Sequence, residues 1–476
     1  MKPRLLAAAG VAALLTLTAC GGSAGDSAGA PQDRRPVPMR PEESATTSAR
    51  VSTFALDVDT ASYSYARRTL QEGRRPESGQ IRPEEFVNSF RQDYAEPPDN
   101  GFTVHTDGAR LPGGEAVLRV GLQTRGSSSE ARRPANLTFV VDVSGSMAEP
   151  GRLDLVQQSL RTLIDQLTPG DQVAIVAFSD EAQLLAPMTP LAARQDLHAA
   201  VDRLVTQGGT NLEAGIVLGY DEASRAFRPA ATNRVIVLSD GLANQGDTAW
   251  QGILDRVKER AAEQITLLTV GVGREYGDEL MEQLADNGDG AAIYVSSVEE
   301  AQKAFVTRLP ATVELRARDA KAQVEFNPAV VEEYHLVGYE NRALETEDFR
   351  DDSADGGEVG PGHSVTALYA LKLKPGARGH LATATVRWQD PDTRQPTEAA
   401  GSVDVDALSG ELWSGAPLRL QVDVVAAAFA LHMRDGKAFG LDLPALAEHA
   451  ARLAAAAEDP MVTELSDLIG KASEAG

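Results

Sequence analysis

The chain has a single cysteine, Cys20, in 476 residues. That excludes an intramolecular disulfide and a cysteine-rich zinc site. Histidine is scarce too: seven residues, from His105 to His449, leave little material for an imidazole metal centre. Positive charge is the third deficit, with Lys plus Arg at 45 against 69 Asp plus Glu and a net charge of −24. So acidic a chain does not fit a nucleic-acid binder, which needs cations to displace counterions from phosphates. Nor does it fit electrostatic docking on anionic lipid. Aromatic residues are only 5%, yet hydrophobic residues at 42% against 24% charged are enough to build buried cores. At ~100–200 residues per domain, the length accommodates about two to four domains.

The chain begins with a basic pair, Lys2 and Arg4, and an apolar run from Leu5 to Leu17. The run is too short to span a bilayer, which takes ~20 residues, and it reads as an export signal. It ends in Leu17-Thr18-Ala19-Cys20, which resembles the bacterial lipobox. That resemblance implies cleavage before Cys20 and acylation (palmitate included) of the new N-terminal cysteine. Localisation is then expected at the bacterial cell envelope, lipid-anchored, and at the outer membrane if the source is diderm. Gly21, the next residue, does not resemble the aspartate that serves some diderm bacteria as an inner-membrane retention signal.

Residues 1–20 are therefore read as a lipoprotein signal peptide and 21–50, rich in Gly, Ser, Ala and Pro, as a disordered tether. Residues 51–100 form an N-terminal segment. It has an alternating strand at Ser52–Asp59, a helix capped by Asp59-Thr60 and running to Leu70, and a second helix opened by Arg82-Pro83. Asp57 and Asp59 are read as strand end and helix cap rather than as metal ligands. Residues 101–134 and 310–410 read as strands separated by turn residues, together a β-sandwich. The expected strands there include Phe102–Gln123 with a break, Thr312–Ala317, Ala322–Phe326, Tyr334–Tyr339, Ser364–Leu373 and Leu381–Trp388. Between them, residues 135–309 alternate nearly continuous apolar strands with amphipathic helices. The strands are Leu137–Val141, Val173–Phe178, Val235–Leu238, Ile265–Val272 and Ile293–Val295. Apolar runs of this kind belong to strands covered on both faces, so the fold class is α/β with a doubly wound, mostly parallel sheet. Residues 411–476 are Ala- and Leu-rich and helical. The strands on either side of the central unit are expected to pair with each other, because neither flank alone makes a sandwich.

The chemistry concentrates at strand ends. Asp142-Val143-Ser144-Gly145-Ser146 follows the first apolar strand, Gly208-Gly209-Thr210-Asn211 precedes a helix, and Ser239-Asp240-Gly241 follows Val235–Leu238. In a doubly wound sheet these ends share one rim. Asp142, Ser144, Ser146, Thr210 and Asp240 then supply oxygen donors suited to Mg²⁺, which takes near-octahedral oxygen coordination and keeps several waters. Manganese or calcium are the alternatives. With no imidazole or thiolate in the pattern, zinc, copper and haem are poor candidates.

This arrangement resembles the von Willebrand factor type A (VWA) domain. The metal-ion-dependent adhesion site of that family (MIDAS) is a D-x-S-x-S run plus a Thr and an Asp from later loops, matched here in order by Asp142, Ser144, Ser146, Thr210 and Asp240. Ser52–Tyr63, Glu84–Phe90 and Leu336–Arg342 are similar to a family of bacterial VWA-domain lipoproteins with their own flanking regions. The resemblance covers nearly the whole chain after Arg50. It implies a Rossmann-like VWA sheet inserted in a β-sandwich, with helical segments at both ends. It also implies a non-enzymatic adhesion protein whose bound Mg²⁺ accepts a carboxylate from a protein or envelope polymer. The alternatives are a metal-dependent hydrolase, for which the sequence offers no clear general base, and a purely structural envelope protein. Whether Asp240 meets the metal directly or through water stays open, as do the partner and the oligomeric state.

Three other stretches look like sites. Gly271–Gly277 has G-x-G-x-x-x-G spacing after a late strand and reads as a turn. Asp286–Gly290 is calcium-loop-like but has Ser297 where a glutamate is needed. The acidic stretch Glu345–Glu358 reads as a solvated loop, with calcium binding as the weaker alternative.

Overall fold

The computed structural model describes residues 50–56, 61–126, 133–240, 247–273, 279–288, 290, 292–295, 305 and 315–475, the last apart from 353, 355, 392, 409, 437 and 438. Cys20 and the tether up to residue 49 lie outside the described residues, as do Asp57 to Thr60 and half of the expected strand Thr312–Ala317.

In chain order, β1 (Val51–Ala55), α1 (Ala61–Gln71) and α2 (Pro83–Val87) come first. β2 (Phe102–Arg110) and β3 (Ala116–Thr124) form a hairpin. The central unit follows: β4 (Ala135–Asp142), α3 (Leu153–Gln166), β5 (Gln172–Phe178), β6 (Ala182–Pro190), α4 (Arg194–Val201), α5 (Leu212–Arg225), β7 (Thr232–Ser239), α6 (Asp247–Ala262), β8 (Ile265–Val272), α7 (Glu279–Asn287) and β9 (Ala292–Val295). Then come β10 (Ala317–Phe326), β11 (Val331–Leu336), β12 (Ala343–Leu344), β13 (Gly357–Val359), β14 (Ser364–Leu373), β15 (His380–Gln389) and β16 (Pro396–Asp404). Three long helices close the chain: α8 (Leu418–Asp435), α9 (Leu443–Ala457) and α10 (Pro460–Ala475).

The central sheet runs β6-β5-β4-β7-β8-β9, parallel throughout except for the edge strand β6. Every residue of β4 and β8 is buried, which is why their sequences are mostly apolar, broken by Asn136, Thr138 and Asp142 in β4 and by Thr266 and Thr269 in β8. One face is covered by α3 through Leu153, Val156, Leu160, Leu163 and Ile164. The other is covered by α5 through Leu212, Ile216 and Tyr220. α5 lies close to the sheet because its inner face carries glycines. A Cβ at Gly219 would come within 2.4 Å of Val140, and one at Gly215 within 2.7 Å of the Phe178 ring. From β4 the chain moves to β5 on one side and later to β7 on the other. The strand order reverses there, so a crevice opens at the carboxyl ends of β4 and β7.

The flanks make two facing antiparallel sheets. One is β12-β1-β10-β15-β16 with β13 beside β10; the other is β11-β14-β3-β2. The strands before and after the central unit do share hydrogen bonds: β3 pairs with β14, from Ser364 opposite Gln123 to Leu371 opposite Ala116. The core between the sheets holds Phe54, Leu118, Val120, Val324, Phe326, Tyr369 and Val386. β1, expected in a separate N-terminal segment, is a strand of this sandwich and pairs with β10. Phe54 explains it, since the side chain is fully buried and packs at a tilt against Tyr339 with ring centroids 4.8 Å apart.

The two terminal helical regions are likewise one layer. Tyr63, Leu70, Phe86 and Phe90 share a core with Val422, Phe429, Leu446, Leu453, Val462 and Ile469. α8 also packs Leu420, Val424 and Ala427 onto Ala109 and Val117 of the β2–β3 hairpin. Among the described residues, no helix is long and apolar enough to cross a membrane.

Candidate functional site

β4 ends in Asp142, whose side chain is fully buried. Its Oδ1 accepts the backbone N–H of Ser144 at 2.8 Å, and its Oδ2 accepts the Ser239 hydroxyl at 2.6 Å. The parallel register sets this contact, because Val141 lies opposite Leu238 and the next residues, Asp142 and Ser239, stand level. The Ser144 and Ser146 hydroxyls sit 3.1 Å apart in the turn that follows. Burial raises the Asp142 carboxyl above the ordinary aspartate range. Its hydrogen bonds oppose that rise and the nearby charge of Asp240 adds to it.

The Thr210 loop is stitched to the same turn. Gln207 N–H donates to the Val143 carbonyl at 2.7 Å, and Gly145 N–H to the Gly208 carbonyl at 3.2 Å. Gly208 holds φ +62°, and a Cβ there would meet the Asp180 carboxylate at 2.2 Å, so the loop needs glycine. Asp180 in turn accepts the Gly209 N–H at 3.0 Å. Asn211 caps α5 through Ala214 N–H at 3.0 Å, which leaves half-buried Thr210 at the rim just before the helix.

Asp240 follows β7 and is 5% exposed. Its Oδ2 accepts from Arg152 Nη1 at 2.6 Å, while Oδ1 finds no hydrogen-bond partner among the described residues. A buried carboxylate oxygen without a donor is costly unless a cation or water meets it. All five expected donors thus lie on loops that meet at one end of the sheet. No group of three or more His, Cys, Asp and Glu that could hold a metal ion occurs among the described residues, so any ion held here needs the hydroxyls to complete its shell.

With the geometry in place, comparison with known proteins is direct. The sequence model described as von Willebrand factor type A domain matches residues 136–307, from β4 past β9. The chain contains a VWA domain. A second model, described as von Willebrand factor, matches residues 39–116, and one described as the C-terminal region of the uncharacterized protein YfbK matches 311–378. The uncharacterized protein YfbK of Escherichia coli is 36% identical over 335 residues, 68% of this chain and 58% of its own. The uncharacterized protein sll0103 of Synechocystis is 27% identical over 198 residues, 41% of this chain and 46% of its own. The chain therefore spans about half the length of these curated relatives. A solved von Willebrand factor type A structure from Catenulispora acidiphila covers 78% of this chain and 91% of its own, at 15% identity and a TM-score of 0.48.

Three residues of the VWA rim were not singled out from sequence: Ser239, Asp180 and Arg152. Ser239 could have been found, since the residue level with Asp142 on the adjacent strand follows from parallel register. Arg152 left a fainter signal, a lone cation between the D-x-S-x-S turn and the apolar face of α3. The other site-like stretches are less eventful. Residues 274–278 lie outside the described residues. The Asp286–Gly290 stretch includes the end of α7. In the acidic stretch, Glu358 is bound to Arg234 at 2.9 Å and Arg318 at 3.2 Å, and Asp352 to Arg387 at 2.6 Å. Those carboxylates serve ion pairs of the fold.

Proposed function

We propose that the VWA rim is a Mg²⁺-dependent adhesion site, with Asp142, Ser144, Ser146, Thr210 and Asp240 as its oxygen donors. Manganese or calcium are the competing ions. The observation that carries the reading is the orphaned Asp240 Oδ1, buried on the same rim as the Asp142 carboxylate and the paired serine hydroxyls. Hard oxygen donors of low total charge suit Mg²⁺. A bound Mg²⁺ would offer an open position to an Asp or Glu carboxylate of a protein or envelope polymer. The chain's own residues hold the donors in place through the strand ends and the Asn211 cap. No catalytic step is assigned, and the protein is read as a binding module rather than an enzyme. Calorimetric Mg²⁺ titration of the chelator-treated full chain tests it. Wild type should bind, and Asp142→Ala should not. Equal Mg²⁺ affinity in a folded Asp142→Ala variant refutes the reading.

The envelope location rests on the sequence around Cys20. Cys20→Ser should abolish acyl labelling and move the protein out of the membrane fraction. Unchanged labelling and fractionation would end the lipoprotein reading.

A further inference from the structure

Arg152 is not a donor, yet it is built into the rim. It stands immediately before α3 and is 8% exposed. Nη1 donates to Asp240 Oδ2 at 2.6 Å and to the Ser146 carbonyl at 3.2 Å. Nη2 lies 2.8 Å from the Glu149 carboxylate, whose side chain is 67% exposed and screened by solvent. On the far side is Gly273, just past β8. A Cβ there would come within 3.1 Å of Arg152 Nε. The guanidinium thus lies among residues that follow β4, β7 and β8.

We infer that Arg152 is a positioning and charge-setting residue of the metal site. It occupies Oδ2 of Asp240, so that this carboxylate can face an ion through Oδ1 alone, and it cancels one of the two buried negative charges. The inference rests on the metal-site reading above. Its chemical consequence is selectivity for anionic ligands. With Arg152 present, a divalent cation on the rim keeps a net positive charge and attracts a carboxylate. Without it, the two aspartates neutralise the ion, which is then held more tightly but is a poorer electrophile.

The prediction is a gain of binding, which damage to the fold would not produce. Arg152→Met keeps the aliphatic stem and removes the charge. It should bind Mg²⁺ about 10-fold more tightly than wild type in calorimetric titration of the full chain, since losing a unit charge a few ångströms from a divalent ion at a partly solvated rim is worth at least about 1.4 kcal/mol. Mg²⁺ should also raise the unfolding temperature of this variant more than that of wild type, because the unpaired carboxylates gain more from the ion. Arg152→Lys keeps the charge and should stay within about 3-fold of wild type; it carries the test if Arg152→Met does not fold. Mg²⁺ affinity of Arg152→Met equal to or below wild type overturns the inference, as does a ten-fold gain in Arg152→Lys. A wild-type chain that binds no Mg²⁺ is a different failure: it refutes the proposed function, and this inference falls with it.

Discussion

Two regions of the molecule bury carboxylates against an arginine, and they differ in how much of each carboxylate is satisfied. At the junction of the sandwich and the helical layer, Arg119 forks onto Asp107 at 2.8 and 2.6 Å. Its remaining nitrogen donates to Asp423 Oδ2 at 2.8 Å and to Gln92 at 3.0 Å. Gln92 then donates to the other Asp423 oxygen at 2.7 Å. Each oxygen of the fully buried Asp423 has a donor. At the VWA rim, Arg152 reaches one oxygen of Asp240, and the other has no hydrogen-bond partner among the described residues. A closed network fixes how layers meet, whereas an open one leaves room for a ligand. The difference separates a satisfied structural cluster from the cluster proposed above as a binding site, although both hold the same residue types.

The sharpest way to break the comparison is to break the junction. Arg119→Met strands Asp423 in an apolar helix face, and losing one partner of a buried pair costs about 3–5 kcal/mol. Urea unfolding should show that loss, and Mg²⁺ should not restore it. If Mg²⁺ does restore it, or if stability is unchanged, the junction is not the closed structural network described.

The rim should respond in graded fashion to metal titration. Asp240→Ala should weaken Mg²⁺ binding about 10–100-fold, the usual cost of losing a carboxylate that supports a metal site. Ser144→Ala, Ser146→Ala and Thr210→Ala each remove a neutral oxygen that water can partly replace, so each should lose less. Folding should survive all four, because the strands beneath are apolar and the donors sit on rim loops. A hydroxyl variant weaker than Asp240→Ala would reverse the order and show that geometry, not charge, limits the site.

The rim was legible in the sequence because parallel strands covered on both faces are largely apolar runs, and the polar clusters at their ends stand out against them. The five donors fall in three such places. The junction was not legible. Arg119 and Asp423 are 304 residues apart, and nothing local pairs them. The isolated Asp423 inside the apolar stretch Val422–Ala430 was the one clue, since a carboxylate there needs a buried partner. The strand β1 was expected, but the sheet it joins escaped for a similar reason: a five-residue alternating strand fits many sheets, and its partner β10 lies far along the chain. The edge strand β6 escaped because burial is partial and its pattern irregular, with only Leu185 and Ala186 buried.

A further effect expected is a pH dependence seated in the helical layer. Glu85 on α2 is 2% exposed. Its Oε2 accepts the Ser62 N–H at 2.8 Å, and Arg82 Nε lies 3.5 Å from Oε1. Burial pushes its carboxyl up to about 7, the neighbouring charge of Glu84 adds to the rise, and Ser62, Arg342 and Arg82 oppose it. The folded chain therefore keeps a proton that the unfolded chain loses near pH 4.5. Between about pH 4.5 and 7 the native state binds more protons than the unfolded state, so this group's contribution falls as pH rises and levels off above 7. Other carboxylates held low by ion pairs act in the opposite sense, so the informative quantity is the difference between wild type and Glu85→Gln. That difference, from urea unfolding at pH 4 to 8, should move in favour of the variant through the window and be flat above it. A difference that is constant with pH would mean that Glu85 ionises at its ordinary pKa, as it would if water reached it in the folded state.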